Sequence, residues 1–132
     1  MSDGLKWQSC GLTVLRIVVG IVFAMHGYQK IHVFHLQGVA GMLSHLGIPL
    51  PTVFAAILIT VELVGGILLI TGLATRIPAV LLAIDMLVAL ITVHMKHGFF
   101  AQTGGIELPF TLLGTVICLA ISGGGAFSRK GL

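Results

Sequence analysis

From Leu50 to Ala74 the chain runs through apolar residues without a break, and Glu62 is the one ionisable residue inside that run. About 20 such residues, wound as a helix, cross a hydrocarbon core of about 30 Å. A carboxylate near the middle of such a span costs at least about 2.5–3.5 kcal/mol, so it needs a partner, a bound proton or a wet cavity. The run fixes the solvent as well as the secondary structure, because lipid leaves no backbone polar group unpaired. Composition agrees. Of the 132 residues, 57% are hydrophobic and 8% are charged, against about 25% charged in soluble domains.

Four apolar segments can be drawn, at about residues 10–30, 50–74, 77–95 and 107–122. They predict an all-α integral membrane protein, a four-transmembrane-helix bundle in one domain covering 1–132. The run lengths are too few and too long for a closed barrel. The fourth segment is short, which suggests a tilted or partly re-entrant element. Between the first two lies IHVFHLQGVAGMLSHLGIPLP, where Leu36, Val39, Leu43 and Leu46 recur near helical spacing before Gly47, Pro49 and Pro51. That pattern predicts a short amphipathic helix at the membrane surface, with His35 and His45 on or near its polar side.

Charge sets the orientation. With four spans, Lys6, Arg76, Arg129 and Lys130 fall on one side and Lys30 and Lys96 on the other, so both termini are expected in the cytoplasm. The first apolar run lacks a signal-peptide cleavage pattern and reads as a retained helix. Cys10 and Cys118 form neither a CxxC pair nor a disulfide framework. The net charge of +3 comes without any basic run, so nucleic acid is not an expected partner.

At about 1.5 Å per residue, Arg16, Glu62 and Asp85 fall at comparable depths in the inner half of the bundle. They form the expected buried charge network, and one cation against two carboxylates leaves a carboxyl holding a proton. The plainer alternatives are an Arg16 that snorkels to the headgroups, a neutral Asp85 that only packs, and a Glu62 that only bonds a neighbouring helix. Gly65 and Gly66 leave one turn without side chains, open to a close helix or a flat ligand. Toward the outer face, His26 and Lys30, then His94, Lys96 and His97, then Glu107 beside Gly104 and Gly105 share a depth under Phe99 and Phe100. They either line one pocket or anchor helix ends in the headgroups. No metal site is expected, because the HxxH pairs His32/His35 and His94/His97 lie in loops. Haem between His26 and His94 is not expected either, since no attachment motif is present. The chain carries no Ser-His-Asp arrangement, phosphate loop or dinucleotide fingerprint.

The strings LRIVVGIVFAMHGYQKI, LGIPLP, VELVGGILLITGLATRIPAVLLA, HGFF…GGIEL and GGGAFS together resemble the DoxX family of small bacterial membrane proteins, from about Leu12 to Ser128. The resemblance implies a four-helix bundle in the bacterial cytoplasmic (inner) membrane. It implies a link to quinone or thiol chemistry or to oxidative-stress defence, beside a soluble redox enzyme as partner. The family's polar positions map onto Arg16, His26, Gly27, Lys30, Glu62, Gly65, Gly66, Thr75, Arg76, His94 and Glu107, whereas Asp85 lies outside the pattern. The extra catalytic domain or cysteine pair of a self-sufficient thiosulfate-oxidising enzyme is absent, which argues against direct sulfur chemistry.

The resulting expectation is a redox-linked membrane subunit, an oxidoreductase component that is not self-sufficient. A quinone-like ligand would sit between its helices on His26, Lys30, Glu62, Gly65, Gly66, His94 and Glu107. Glu62, Arg16 and His26 are the candidate catalytic groups. The alternatives are a small proton-coupled transporter using Glu62 and a non-catalytic scaffold that docks an enzyme on Arg76 and the SRKGL tail. Each reading includes a homo-oligomer, because one small bundle has little room to hide three intramembrane charges.

Overall fold

The computed structural model describes residues 3–129. Lys130, counted above on the basic side and in the SRKGL tail, lies outside the described residues. Five α-helices carry the fold: α1 Asp3–Gln29, α2 His35–His45, α3 Pro51–Thr71, α4 Arg76–Ala89 and α5 Glu107–Ser122. Among the described residues there is no strand. The chain is an all-α membrane bundle, with three helical stretches long and apolar enough to cross a bilayer and the shorter apolar α5 beside them.

Local sequence explains most boundaries. Pro51 occupies the first turn of α3, where its missing N–H has no partner to lose, and Gly72 ends the helix at φ 77°. α5 likewise stops at Gly123, with φ 83°.

The first helix differs from the expected 10–30. It starts at Asp3 and does not close at Lys30. A π-helical turn, Lys30–Phe34, carries the chain on until His35, at φ 57° and ψ 164°, redirects it into α2. No proline lies between Gln29 and Gly47, so the helix runs on past Gln29 through a widened turn before His35 redirects it. Lys30 is therefore held within a helical stretch instead of floating at a helix end. α4 behaves similarly, running on through a π-helical turn, Leu90–His94, and a 3₁₀ turn, Met95–His97.

α1 and α3 form the central antiparallel pair. A Cβ on Gly66 would lie 2.7 Å from the Gly20 carbonyl oxygen, and one on Gly27 would lie 2.6 Å from the Leu63 nitrogen. Lipid tails are as apolar as leucine, so helices in a bilayer associate through close packing at small residues. These glycines set the register. α4 and α5 close the bundle around Val19, Phe23, Leu69, Leu82, Met86, Leu112 and Val116. α2 packs across the first half of α3, with Val39, Ala40 and Leu43 against Ala55 and Ile59. The outer surface is apolar, with Val18, Ile57, Ile84 and Ile91 exposed as lipid-facing residues require. After α5, the Ala126 N–H bonds the Ser9 carbonyl and the Arg129 N–H bonds the Gly72 carbonyl, so the tail covers the ends of α1 and α3.

Candidate functional site

Glu62 is buried, 3% exposed, and its partner is Lys30. Lys30 Nζ donates to Glu62 Oε2 at 2.6 Å, with 17% and 4% of the two side chains exposed. Asp85 on α4 faces the same cavity as Glu62. Its Oδ2 is buried and has no partner among the described residues.

The expected network of Arg16, Glu62 and Asp85 therefore divides. Arg16 is buried, but it touches Gly72 at the far end of α3, and Lys30 replaces it beside Glu62. The antiparallel register is the cause. Opposite Arg16 stands Gly72, ten positions from Glu62, or about 15 Å along the helix. Depth counted separately on each helix cannot detect that offset.

Above the Lys30–Glu62 pair opens a cavity of about 460 Å³, inside the range of about 300–1,000 Å³ usual for small-molecule sites. Its walls are mainly apolar, from Phe23 on α1, Phe34, Val39 and Met42 around α2, Met86 and Ala89 on α4, and Leu108 and Leu112 on α5. The polar groups in its lining are His26, Gln29, Lys30, Glu62, Asp85, Thr92 and His94. Both π-helical turns contribute, one through Lys30 and the other through His94. His94 Nδ1 lies 2.7 Å from the Gly104 carbonyl. A carbonyl only accepts, so Nδ1 carries the hydrogen, and in the neutral ring Nε2 remains an acceptor.

Other sequence candidates lie elsewhere. Gly66 is filled by α1 and Gly65 faces Leu82, so neither lines the cavity and neither leaves room for a flat ring. They are packing positions. Glu107 is also outside the lining. Its Oε2 accepts the Ala101 N–H at 2.8 Å while its own N–H bonds the Phe99 carbonyl, which folds the 99–107 loop. Gly104 and Gly105 do reach the cavity through that loop, whereas Lys96 and His97 do not. Sequence reading missed Gln29, Phe34, Met42 and Thr92. The apolar face of α2 was a usable signal, since Val39 and Leu43 had to cover something. Arg16 and Glu62 are buried within one chain, and Asp85 is half-buried. Among the described residues, no group of three or more His, Cys, Asp or Glu side chains converges as a metal site.

A family model described as DoxX matches residues 11–95. A Bacillus subtilis protein named "Putative oxidoreductase CatD" is 40% identical over 86% of this chain and 79% of its own length. An uncharacterized membrane protein of Mycobacterium tuberculosis is 33% identical, over 86% of this chain and 76% of its own. An Escherichia coli inner membrane protein, YphA, is 30% identical over 89% of this chain and 86% of its own. No solved structure matches.

Proposed function

Since the chain belongs to the DoxX family of membrane proteins, we propose that it is a redox-linked membrane subunit that binds a quinone-class, lipid-soluble molecule in the cavity beside Glu62. The supporting observation is a mainly apolar cavity that carries the buried Lys30–Glu62 pair and Asp85 in its wall. A quinone carbonyl would accept from the Lys30 ammonium or from His26, and its ring and tail would lie against Phe34, Met42 and Leu108. A carboxyl of Glu62 or Asp85 would pass protons to that carbonyl as a partner redox enzyme supplies electrons. The bacterial relative named as an oxidoreductase and the relatives named as inner membrane proteins support a redox role in the cytoplasmic membrane. The excess of Arg at the terminal end supports cytoplasmic termini.

The test is retention of a short-tailed quinone by the purified full-length protein in nanodiscs. Ala89→Phe, which fills the cavity, should lower affinity at least about tenfold, a change of about 1.4 kcal/mol. Equal retention by the wild type, by this variant and by empty nanodiscs would remove the quinone reading.

The buried Glu62 carboxyl also supports a second reading, a small proton-coupled transporter in which Glu62 exchanges its proton against a substrate. That reading requires pH-driven solute uptake in proteoliposomes that Glu62→Gln abolishes.

A further inference from the structure

At the end of the bundle that carries both chain ends, away from the Lys30 cavity, lies a second concavity of about 500 Å³, bounded by Ser9, Thr75, Arg76, Gly123–Gly125, Ser128 and Arg129. Its chemistry is one-sided. Arg76 and Arg129 line it and no acidic side chain does. Asp3 belongs to the same end of α1, but it is exposed and paired with Lys6 at 3.2 Å. Arg76 is only loosely engaged, its Nη2 lying 3.4 Å from the Ile121 carbonyl.

Two buried groups beneath this rim lack partners. Thr75 is 4% exposed, and its hydroxyl makes no hydrogen bond among the described residues. It occupies the N-cap position of α4, where a threonine ordinarily accepts an N–H of the first turn. Its helical φ of −48° and ψ of −36° prevent that geometry. The hydroxyl instead faces the Gly124 backbone, where any Cβ would collide with it. The other group is Arg16, 2% exposed, with Nε and Nη1 unpartnered among the described residues. It lies under the clasp formed by Gly72 and the Arg129 N–H. A buried cation without a counter-charge is unfavourable. The positive end of the α4 dipole points the same way.

We propose that this concavity binds a phosphate-class anion, with Thr75, Arg76 and Arg129 as direct donors and Arg16 as the buried charge beneath. Guanidiniums match phosphate oxygens in paired hydrogen bonds, and a hydroxyl beside a helix N-terminus completes a tetrahedral set. The phosphate comes either from the headgroup of an anionic phospholipid in the adjoining leaflet or from solution.

The test uses the full-length protein in uncharged detergent. One arm measures by native mass spectrometry the retention of added phosphatidylglycerol against phosphatidylcholine. The other titrates inorganic phosphate against chloride at constant ionic strength and follows the melting temperature. Thr75→Val and Arg129→Gln should each weaken the response about tenfold, Thr75→Ser should retain it, and Lys6→Gln should leave it unchanged. Should Thr75→Val fail to fold, Arg129→Gln reads the site alone. Variant-sensitive retention of phosphatidylglycerol assigns the headgroup, and a variant-sensitive, saturable phosphate shift assigns the free anion. No response in either arm overturns the proposal. So does a response that Arg129→Gln leaves intact, or one that Lys6→Gln weakens equally.

Discussion

Lys30 Nζ lies 2.6 Å from Glu62 Oε2, and this bond joins the π-helical turn after α1 to α3 between residues 32 positions apart. Both charges sit deep enough that neither reaches bulk water freely, so each depends on the other. Removing one partner of a buried pair costs about 3–5 kcal/mol, while replacing both is often neutral. Lys30→Met should therefore lower the melting temperature in detergent sharply. The double variant Lys30→Met/Glu62→Gln should recover most of the loss. A double variant as unstable as the sum of the singles would show that the two residues act independently.

Glu62 and Asp85 line one cavity with a single ammonium, Lys30, and that balance predicts that one of the two carboxyls holds a proton. Infrared difference spectroscopy should show a carboxylic-acid carbonyl band that moves on deuteration and disappears in Asp85→Asn. That variant should fold, because an amide can donate where the acid did. A spectrum without an acid band in the wild type would mean that the carboxyls are both ionised and apart.

Gly27 lies against the Leu63 backbone, whereas Gly114 on α5 has open space around it. Gly27→Ala should cost about 1–3 kcal/mol through forced separation of α1 and α3. Gly114→Ala should stabilise by up to about 1 kcal/mol through helix propensity alone. Equal effects in a detergent melting assay would remove Gly27 from the helix contact.

The Glu107 carboxylate accepts the Ala101 N–H at 2.8 Å. A hydrogen bond to a charged acceptor contributes about 1.5–3 kcal/mol, here to a loop and not to the bundle. Glu107→Ala should accelerate amide exchange at Ala101 and at Gly105, which bonds the Phe100 carbonyl. Exchange in α3 should stay unchanged. Acceleration throughout the bundle would instead make Glu107 a core residue.

Some of the site was legible in the chain and some was not. Glu62, His26, Lys30 and His94 stand out as polar residues at the depth of a span, and all four reach the cavity. In the sequence Glu107 reads at the depth of His26, Lys30 and His94, yet it turns to its own loop, because a carboxylate at a helix start finds nearby N–H groups before any ligand. Gly65 and Gly66 read equally well as ligand space or as packing. The backbones beside them are what distinguish the two, and no string of letters contains those.

The sequence by itself determined that this chain lives in lipid, that its segments are helices, and that Glu62 needs a partner. Hydropathy and backbone hydrogen bonding are local properties, and in a bilayer they leave few alternatives. The tertiary structure alone decided which partner. Hydropathy is nearly flat along a span, so it cannot fix how far one helix slides past another. Close packing at Gly20, Gly27 and Gly66 fixes that slide. It sets Lys30 beside Glu62, and it leaves Arg16 about 15 Å away beneath a separate polar site.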